Sequence, residues 1–388
     1  MKLGKHLTIP EGPEDIERLW ETAQPLDAAS TPEWLSEEEL SEYRFLGSVG
    51  WSGLSQAEQQ QYFAELEQFA ACGLIIDEQP NAAGTHFFYM SPPPREAIWS
   101  IGIYRGDDPF RLAPLHPDKP ALSAADVTDV PATFVADPFM VQAGGTWHMF
   151  FEVMNWRTHR GEIGLATSPD ALEWTYCQIV LTEPFHLSYP YVFEWNNEFY
   201  MIPETHRAGA VRLYKAKNFP SNWVFVRVLL RGPYLADASV FRHDGGWWMF
   251  VEASPNDEHD LLRLYYADRL RGPWTEHPES PLIKRNPRIA RPAGRVIRRG
   301  DQLIRFAQNC EPDYGTDVRG FEIRELTRTA FHEEEFECNP VLGPTGTGWN
   351  LRGMHHIDAH QLPNGTWIAC VDGWTDVPFG SVPFIAQS

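Results

Sequence analysis

The sequence predicts a mainly β protein: a five-bladed β-propeller preceded by a small N-terminal α-helical, winged-helix-like domain. Three observations carry that reading. A strand–turn–strand unit recurs five times after residue 98. Aromatic residues make up 13% of the chain beside 29 Gly and 32 Pro, the composition of many short strands and tight turns. Residues 14–79, by contrast, carry apolar side chains at helical spacing.

The N-terminal domain is expected over residues 1–94. Pro13-Glu14-Asp15 opens a helical stretch through Trp20. Ser36-Glu37-Glu38-Glu39 resembles a capping box ahead of Leu40 and Tyr43. Ser55-Gln56-Ala57-Glu58 starts a third helix, with Tyr62, Phe63, Leu66 and Phe69 on one side, and Gly73 ends it. Leu74-Ile75-Ile76 and His86-Phe87-Phe88-Tyr89 are then expected to pair as a two-stranded wing. Residues 1–94 hold sixteen acidic side chains against four basic ones, so a partner at residues 14–89 would be a peptide or carrier protein, not DNA. A helical cap packed on the propeller fits the same residues. Pro92-Pro93-Pro94 reads as the joint.

Residues 95–388 are expected to form the propeller. The first unit runs Ala136-Asp137-Pro138-Phe139, a Gly144-Gly145 turn, then Trp147 to Glu152. The second runs Tyr189 to Val192, Asn196-Asn197, then Phe199 to Glu204; the third runs Ala236 to Ser239, Asp244-Gly245-Gly246, then Trp247 to Glu252. The fourth has Arg291-Pro292-Ala293-Gly294 before Leu303 to Gln308, and the fifth His356-Ile357-Asp358-Ala359 before Trp367 to Asp372. Each is a hairpin signature. Further strands lie between them, at Gly161–Ser168, Val211–Ala216, Leu261–Asp268 and Arg319–Leu326, and Trp174, Trp223 and Trp274 recur after the third strand. The last unit is short, so Trp99–Tyr104 is expected to complete it, closing the ring and covering a sheet edge.

The formal net charge of −21 disfavours nucleic acid and an anionic membrane surface as partners. The five cysteines are scattered, with no C-x-x-C pair, so neither disulfide framework nor zinc knuckle is indicated. No apolar signal core and no run of 18 apolar residues occurs. The expectation is a reduced, cytoplasmic protein without membrane insertion, and no cofactor is expected.

The repeat also places chemistry. Asp137, Tyr189 and Asp237 each precede by ten positions the aromatic that opens the second strand, and five residues later come Glu152, Glu204 and Glu252. Antiparallel pairing brings each Glu beside the head of its first strand. Acids from several sheets should therefore rim one mouth of the channel, with Asp372 and Gln308 at the same position in the last two units. Carboxylates crowded together repel, so at least one should keep its proton near neutral pH, the condition for acid–base work on a glycosidic bond. Candidate catalytic residues are Asp137, Asp237, Glu204 and Glu252; candidate substrate-binding residues are Tyr189, Arg291, His356, Asp358 and Glu152. A structural ion pair is the competing role for Arg291, and hydrogen bonding to loop amides the competing role for each Glu. No metal is expected, the weak candidates being His356, Asp358 and His360, which would share one face of a strand.

The motifs Trp99-Ser100-Ile101-Gly102-Ile103-Tyr104, Ala136-Asp137-Pro138-Phe139-Met140, Tyr200-Met201-Ile202-Pro203-Glu204-Thr205, Arg291-Pro292-Ala293-Gly294-Arg295 and Gly353-Met354-His355-His356-Ile357-Asp358 resemble the N-terminal domain of glucosamine inositolphosphorylceramide transferases, over roughly residues 98–376. In those transferases sugar transfer belongs to a separate domain, for which this chain is expected to have no room. The propeller is also similar to furanosidase-type folds such as glycoside hydrolase family 43. That resemblance implies a base at Asp137, a second Asp at Asp237 and an acidic Glu at a later blade head, where this chain has Arg291. Glu204 or Glu252 would then substitute as the acid. Three functions remain open: a carbohydrate-active enzyme, glycosidase-like or glycosyl-transferring, acting on a small-molecule or glycan substrate; a tailoring enzyme of a peptide or natural-product pathway; or a non-catalytic sugar- or protein-binding module.

Overall fold

The computed structural model describes residues 13–27, 31, 43–71, 84–91, 95–255 and 258–378. The chain divides into two compact units, one chiefly Met1–Ala97 and the other chiefly Ile98–Thr375.

In the first unit, helices Pro13–Thr22 and Gln56–Ala71 accompany a three-stranded antiparallel sheet of Gln24–Pro25, Arg44–Gly50 and Thr85–Met90. The second helix begins as its sequence demands: Ser55 N–H donates to Glu58 Oε2 at 2.8 Å and Glu58 N–H to Ser55 Oγ at 3.4 Å, a reciprocal cap. Met90 is buried among Ile16, Leu19, Trp20 and Leu46. The strand Arg44–Gly50 is absent from the sequence expectation, and it is the partner of Thr85–Met90. Its glycines, Gly47 and Gly50, hide the alternation of its apolar positions. The expected helix after Ser36 and the expected strand Leu74–Ile76 lie outside the described residues.

The second unit contains five sheets, each of four antiparallel strands, a propeller-like arrangement. The first comprises Ala132–Ala143, Thr146–Asn155, Arg160–Ser168 and Thr175–Leu181. The second comprises Ser188–Trp195, Glu198–Glu204, Ala210–Asn218 and Asn222–Arg231. The third runs through Ala236–His243, Gly246–Glu252, Leu262–Ala267 and Thr275–Glu276. The fourth holds Ile297–Arg299, Gln302–Asn309, Asp317–Leu326 and Phe331–Glu335. The fifth joins Ile357–Gln361 and Trp367–Pro378 to the early strands Arg95–Gly106 and Ala113–Pro114.

Alternate residues of these strands fill the space between neighbouring sheets. Phe139, Phe150, Tyr191, Met201 and Leu213 form such a layer between the first and second sheets. The recurring tryptophans share one role: Trp174, Trp223 and Trp274 each donate their indole N–H to a carbonyl three or four residues earlier, at 3.1, 2.8 and 3.2 Å. They pack the outer turns. Among the described residues no helix is long and apolar enough to cross a membrane.

Candidate active site

The site grows from a defect repeated in three sheets. Ala136, Ser188 and Ala236 pair with Glu152, Glu204 and Glu252, and immediately afterwards the register of each hairpin shifts. The extra residue of each bulge is Asp137, Tyr189 or Asp237, with φ of 54°, 45° and 48°. Left-handed backbone at a residue with a side chain is strained, and the bulge re-aims that side chain out of the strand's alternation. The consequence is a cavity of about 230 Å³ bordered by Asp137, Glu152, Glu204 and Glu252, with Arg291 and His355 also on its wall.

Glu152 stands 3.2 Å from His186 Nε2. Gly161 permits the approach, since a Cβ there would lie 2.2 Å from the Leu187 carbonyl oxygen and 2.7 Å from Glu152 Oε1. Glu204 is held by a very short hydrogen bond to His206 Nδ1 and by Arg291 Nη2 at 3.4 Å. Burial pushes its carboxyl up, but these partners overcome that and hold it down at about 2. Glu252 accepts Ser254 N–H at 2.6 Å, yet burial keeps its carboxyl above the usual range.

Arg291 organises the cavity's cationic side. Its Nε donates to Asp237 Oδ2 at 2.6 Å, its Nη1 meets His259 Nδ1 at 2.9 Å, and its guanidinium lies over the Tyr314 ring at 5.1 Å. Asp237 also accepts Gln308 Nε2 at 2.9 Å, while its Oδ1 has no hydrogen-bond partner. Burial lifts Asp237 to about 7 although Arg291 pulls the other way. One guanidinium thus serves two buried carboxyl groups, and Glu204 takes the larger share of the charge.

Asp137 is 5% exposed. Its amide donates to Asp372 Oδ2 at 2.8 Å, its Oδ2 accepts Tyr189 N–H at 3.2 Å, and its Oδ1 has no hydrogen-bond partner. Burial, then repulsion from Asp237, Asp372 and Glu152, push its carboxyl well above the carboxylate range. His355 bridges the two aspartates, with Nδ1 2.7 Å from Asp372 and Nε2 3.7 Å from Asp137 Oδ1, and it stacks on Trp99 at 4.0 Å. Asp372 is held low: the charge and hydrogen bond of His355 outweigh its burial. Donor atoms of Asp137, His355 and Asp372 all lie within 4.8 Å of one another, so these residues make a potential cation-binding set.

Other sequence candidates lie deeper. Tyr189 is fully buried, and its hydroxyl is shared by Ser239 Oγ at 2.7 Å, the Gly294 carbonyl at 3.0 Å and the Gly294 amide at 2.7 Å. The bulge turns it inward, away from the cavity wall. Asp358 forms a buried pair with Arg295 at 2.7 Å, accepts Met140 N–H at 2.8 Å and meets His360 at 2.9 Å; Arg295 also reaches the Val192 carbonyl at 2.9 Å. Burial raises the cost of charging Asp358, but Arg295 and His360 hold it well below its ordinary value. His356 stands apart from that pair: burial drives it down to about 4, and its Nδ1 is 3.7 Å from Asp137. His356, Asp358 and His360 therefore do not converge as one donor set.

His186, His206, Trp99 and Tyr314 border the cavity without having been singled out from sequence. The signal for His206 and Ser254 was present: each follows its repeated Glu by two residues, on the same face of an extended chain.

Residues 92–374 match the family model described as glucosamine inositolphosphorylceramide transferase 1, N-terminal. The glucosamine inositolphosphorylceramide transferase 1 proteins of Oryza sativa subsp. japonica and Arabidopsis thaliana are 36% and 33% identical over 304 and 299 residues. Each alignment covers 72% of this chain but only 40% and 39% of the relative, so the chain matches about two-fifths of their length. Among solved structures, the catalytic domain of a Coprinopsis cinerea GH62 α-L-arabinofuranosidase aligns over 64% of this chain and 92% of its own, at 14% identity and TM-score 0.47. A family 117 glycoside hydrolase of Zobellia galactanivorans aligns over 71% and 90%, at 13% identity and TM-score 0.44. On the extent of the family match and the identity to the plant proteins, this chain belongs to the glucosamine inositolphosphorylceramide transferase 1 N-terminal family.

Proposed function

We propose that the second unit is a five-bladed propeller acting as a carbohydrate-active enzyme, with the carboxyl-lined cavity as its sugar site. One observation carries the reading: carboxyl groups with opposite protonation preferences share one cavity. Glu204 is held ionised, whereas Asp137 and Glu252 are both pushed up. Relatives named as glucosamine-transferring proteins make a sugar the natural ligand class.

In this reading Glu252 gives its proton to the leaving oxygen of a glycosidic bond. Asp137, whose raised affinity makes it a competent base, takes the proton of the attacking water or acceptor hydroxyl. Arg291, fixed on Asp237 and Glu204, supplies positive charge beside the departing group, and Trp99 and Tyr314 offer ring faces to the sugar. Glu204 suits an ionised, charge-stabilising role better than proton donation, because Arg291 and His206 hold it as carboxylate.

The test is turnover of an aryl-glycoside panel by wild type, Asp137→Asn and Glu252→Gln. A loss of about 10²-fold or more in each variant, with unchanged circular dichroism, is expected. Full activity in Asp137→Asn would remove that residue from the reaction. Sugar binding without turnover in wild type would favour a non-catalytic module.

A further inference from the structure

A second cavity, of about 590 Å³, opens at the other ends of the same strands. Trp195, Arg227, Arg242, Trp247, Arg269 and Arg271 border it. Glu198–Glu204 and Gly246–Glu252 begin beside this cavity and finish at the carboxylates, six residues of extended chain away, or roughly 20 Å. The two openings are separate sites.

Four guanidinium groups around one opening repel one another, and the chain as a whole carries a net charge of −21. Nearby acids do not neutralise them. Asp268, at the rim, pairs with Arg328. Glu198 pairs with Lys215 at 2.5 Å and accepts the Tyr200 hydroxyl at 2.7 Å. Arg227 and Arg269 make no ion pair among the described residues, and both are exposed. Arg242 is preset: its guanidinium lies 4.3 Å from the Trp195 ring centre, and its Nη2 donates to the Gly245 carbonyl at 2.9 Å. Guanidinium held flat on an aromatic keeps its remaining N–H groups for an anion and loses little freedom on binding.

We propose that this cavity binds a phosphate ester carried on a sugar or polyol. A phosphate presents three acceptor oxygens and up to two charges, which matches several converging arginines better than a single carboxylate does. The cavity exceeds what one phosphate fills, leaving room for the ring that bears it. The ester has two possible sources, a soluble sugar phosphate or the headgroup of a phospholipid.

The full chain is titrated calorimetrically with glucose 1-phosphate and with glucose, and floated with vesicles of phosphatidylcholine alone or with added phosphatidylinositol. Binding is expected to a phosphate-bearing probe and not to glucose or phosphatidylcholine, weakening as salt rises. Binding of glucose 1-phosphate identifies a soluble ligand, and binding only to the inositol-lipid vesicles identifies a headgroup. The double variant Arg227→Glu/Arg269→Glu, at exposed positions whose loss should spare the fold, is expected to weaken that binding at least tenfold, while Asp137→Asn leaves it unchanged. No binding in either phosphate arm at 50 mM salt overturns the proposal. So does binding that survives the arginine variant, or that Asp137→Asn abolishes.

Discussion

Replacing Arg291 by Met would remove the one cation shared by two buried carboxyl groups. Above pH 7 both Glu204, held at about 2, and Asp237, at about 7, are ionised beside it. Taking one partner from a buried ion pair costs about 3–5 kcal/mol, because the remaining charge stays desolvated. At pH 5 Asp237 already holds its proton, so only the 3.4 Å contact to Glu204 is lost, and His206 still supports that carboxylate. The cost there should fall to about 1.5 kcal/mol, the value of one hydrogen bond to a charged group. With a urea m-value of about 3 kcal/mol/M, the midpoint of Arg291→Met should drop by about 1–1.5 M at pH 8 and about 0.5 M at pH 5. Equal drops at the two pH values, or a drop under about 0.3 M at pH 8, would refute the shared-cation account.

Asp237→Asn should alter the pH dependence of stability. A carboxyl at about 7 when folded and 3.8 when unfolded binds more protons in the native state, so wild-type stability should decline between about pH 4 and 7 and level off above, by up to about 1.4 kcal/mol per pH unit. Asn at 237 should remove that component, which urea midpoints across pH 4–8 would reveal; an unchanged slope contradicts the assignment. Gly161→Ala should destabilise by about 1–3 kcal/mol in the same assay, because the new methyl meets the Leu187 carbonyl at 2.2 Å. It should also separate Glu152 from His186, so the His186 pKa, which Glu152 holds above its ordinary value against the effect of burial, should fall toward it when followed by NMR.

The repeat was legible because it uses local chemistry: apolar strands of period two, Gly or Asn turns, and a Glu fixed five residues after each aromatic. That spacing placed Glu152, Glu204 and Glu252 on one cavity beside Asp137. Tyr189 shares the spacing of Asp137 but not its environment, since the left-handed bulge buries its hydroxyl against Gly294. Alternation along one strand suggested that His356, Asp358 and His360 act together. The partners that divide them, Asp137 and Arg295, come from other sheets. Arg291 read equally well as ligand binder or structural ion, and it is an ion pair partner that also faces the cavity. The strand Arg44–Gly50 escaped because two of its seven residues are glycine.

The fifth sheet is a clasp made from both extremities of its unit, Arg95–Gly106 beside Trp367–Pro378. During synthesis the early strand waits, unpartnered, until more than 250 further residues have left the ribosome. His355 and Asp372, which support Asp137, arrive with the same closing segment. A nascent or truncated chain therefore lacks the ring and the acid cluster together, and competence for chemistry should switch on in a single late step.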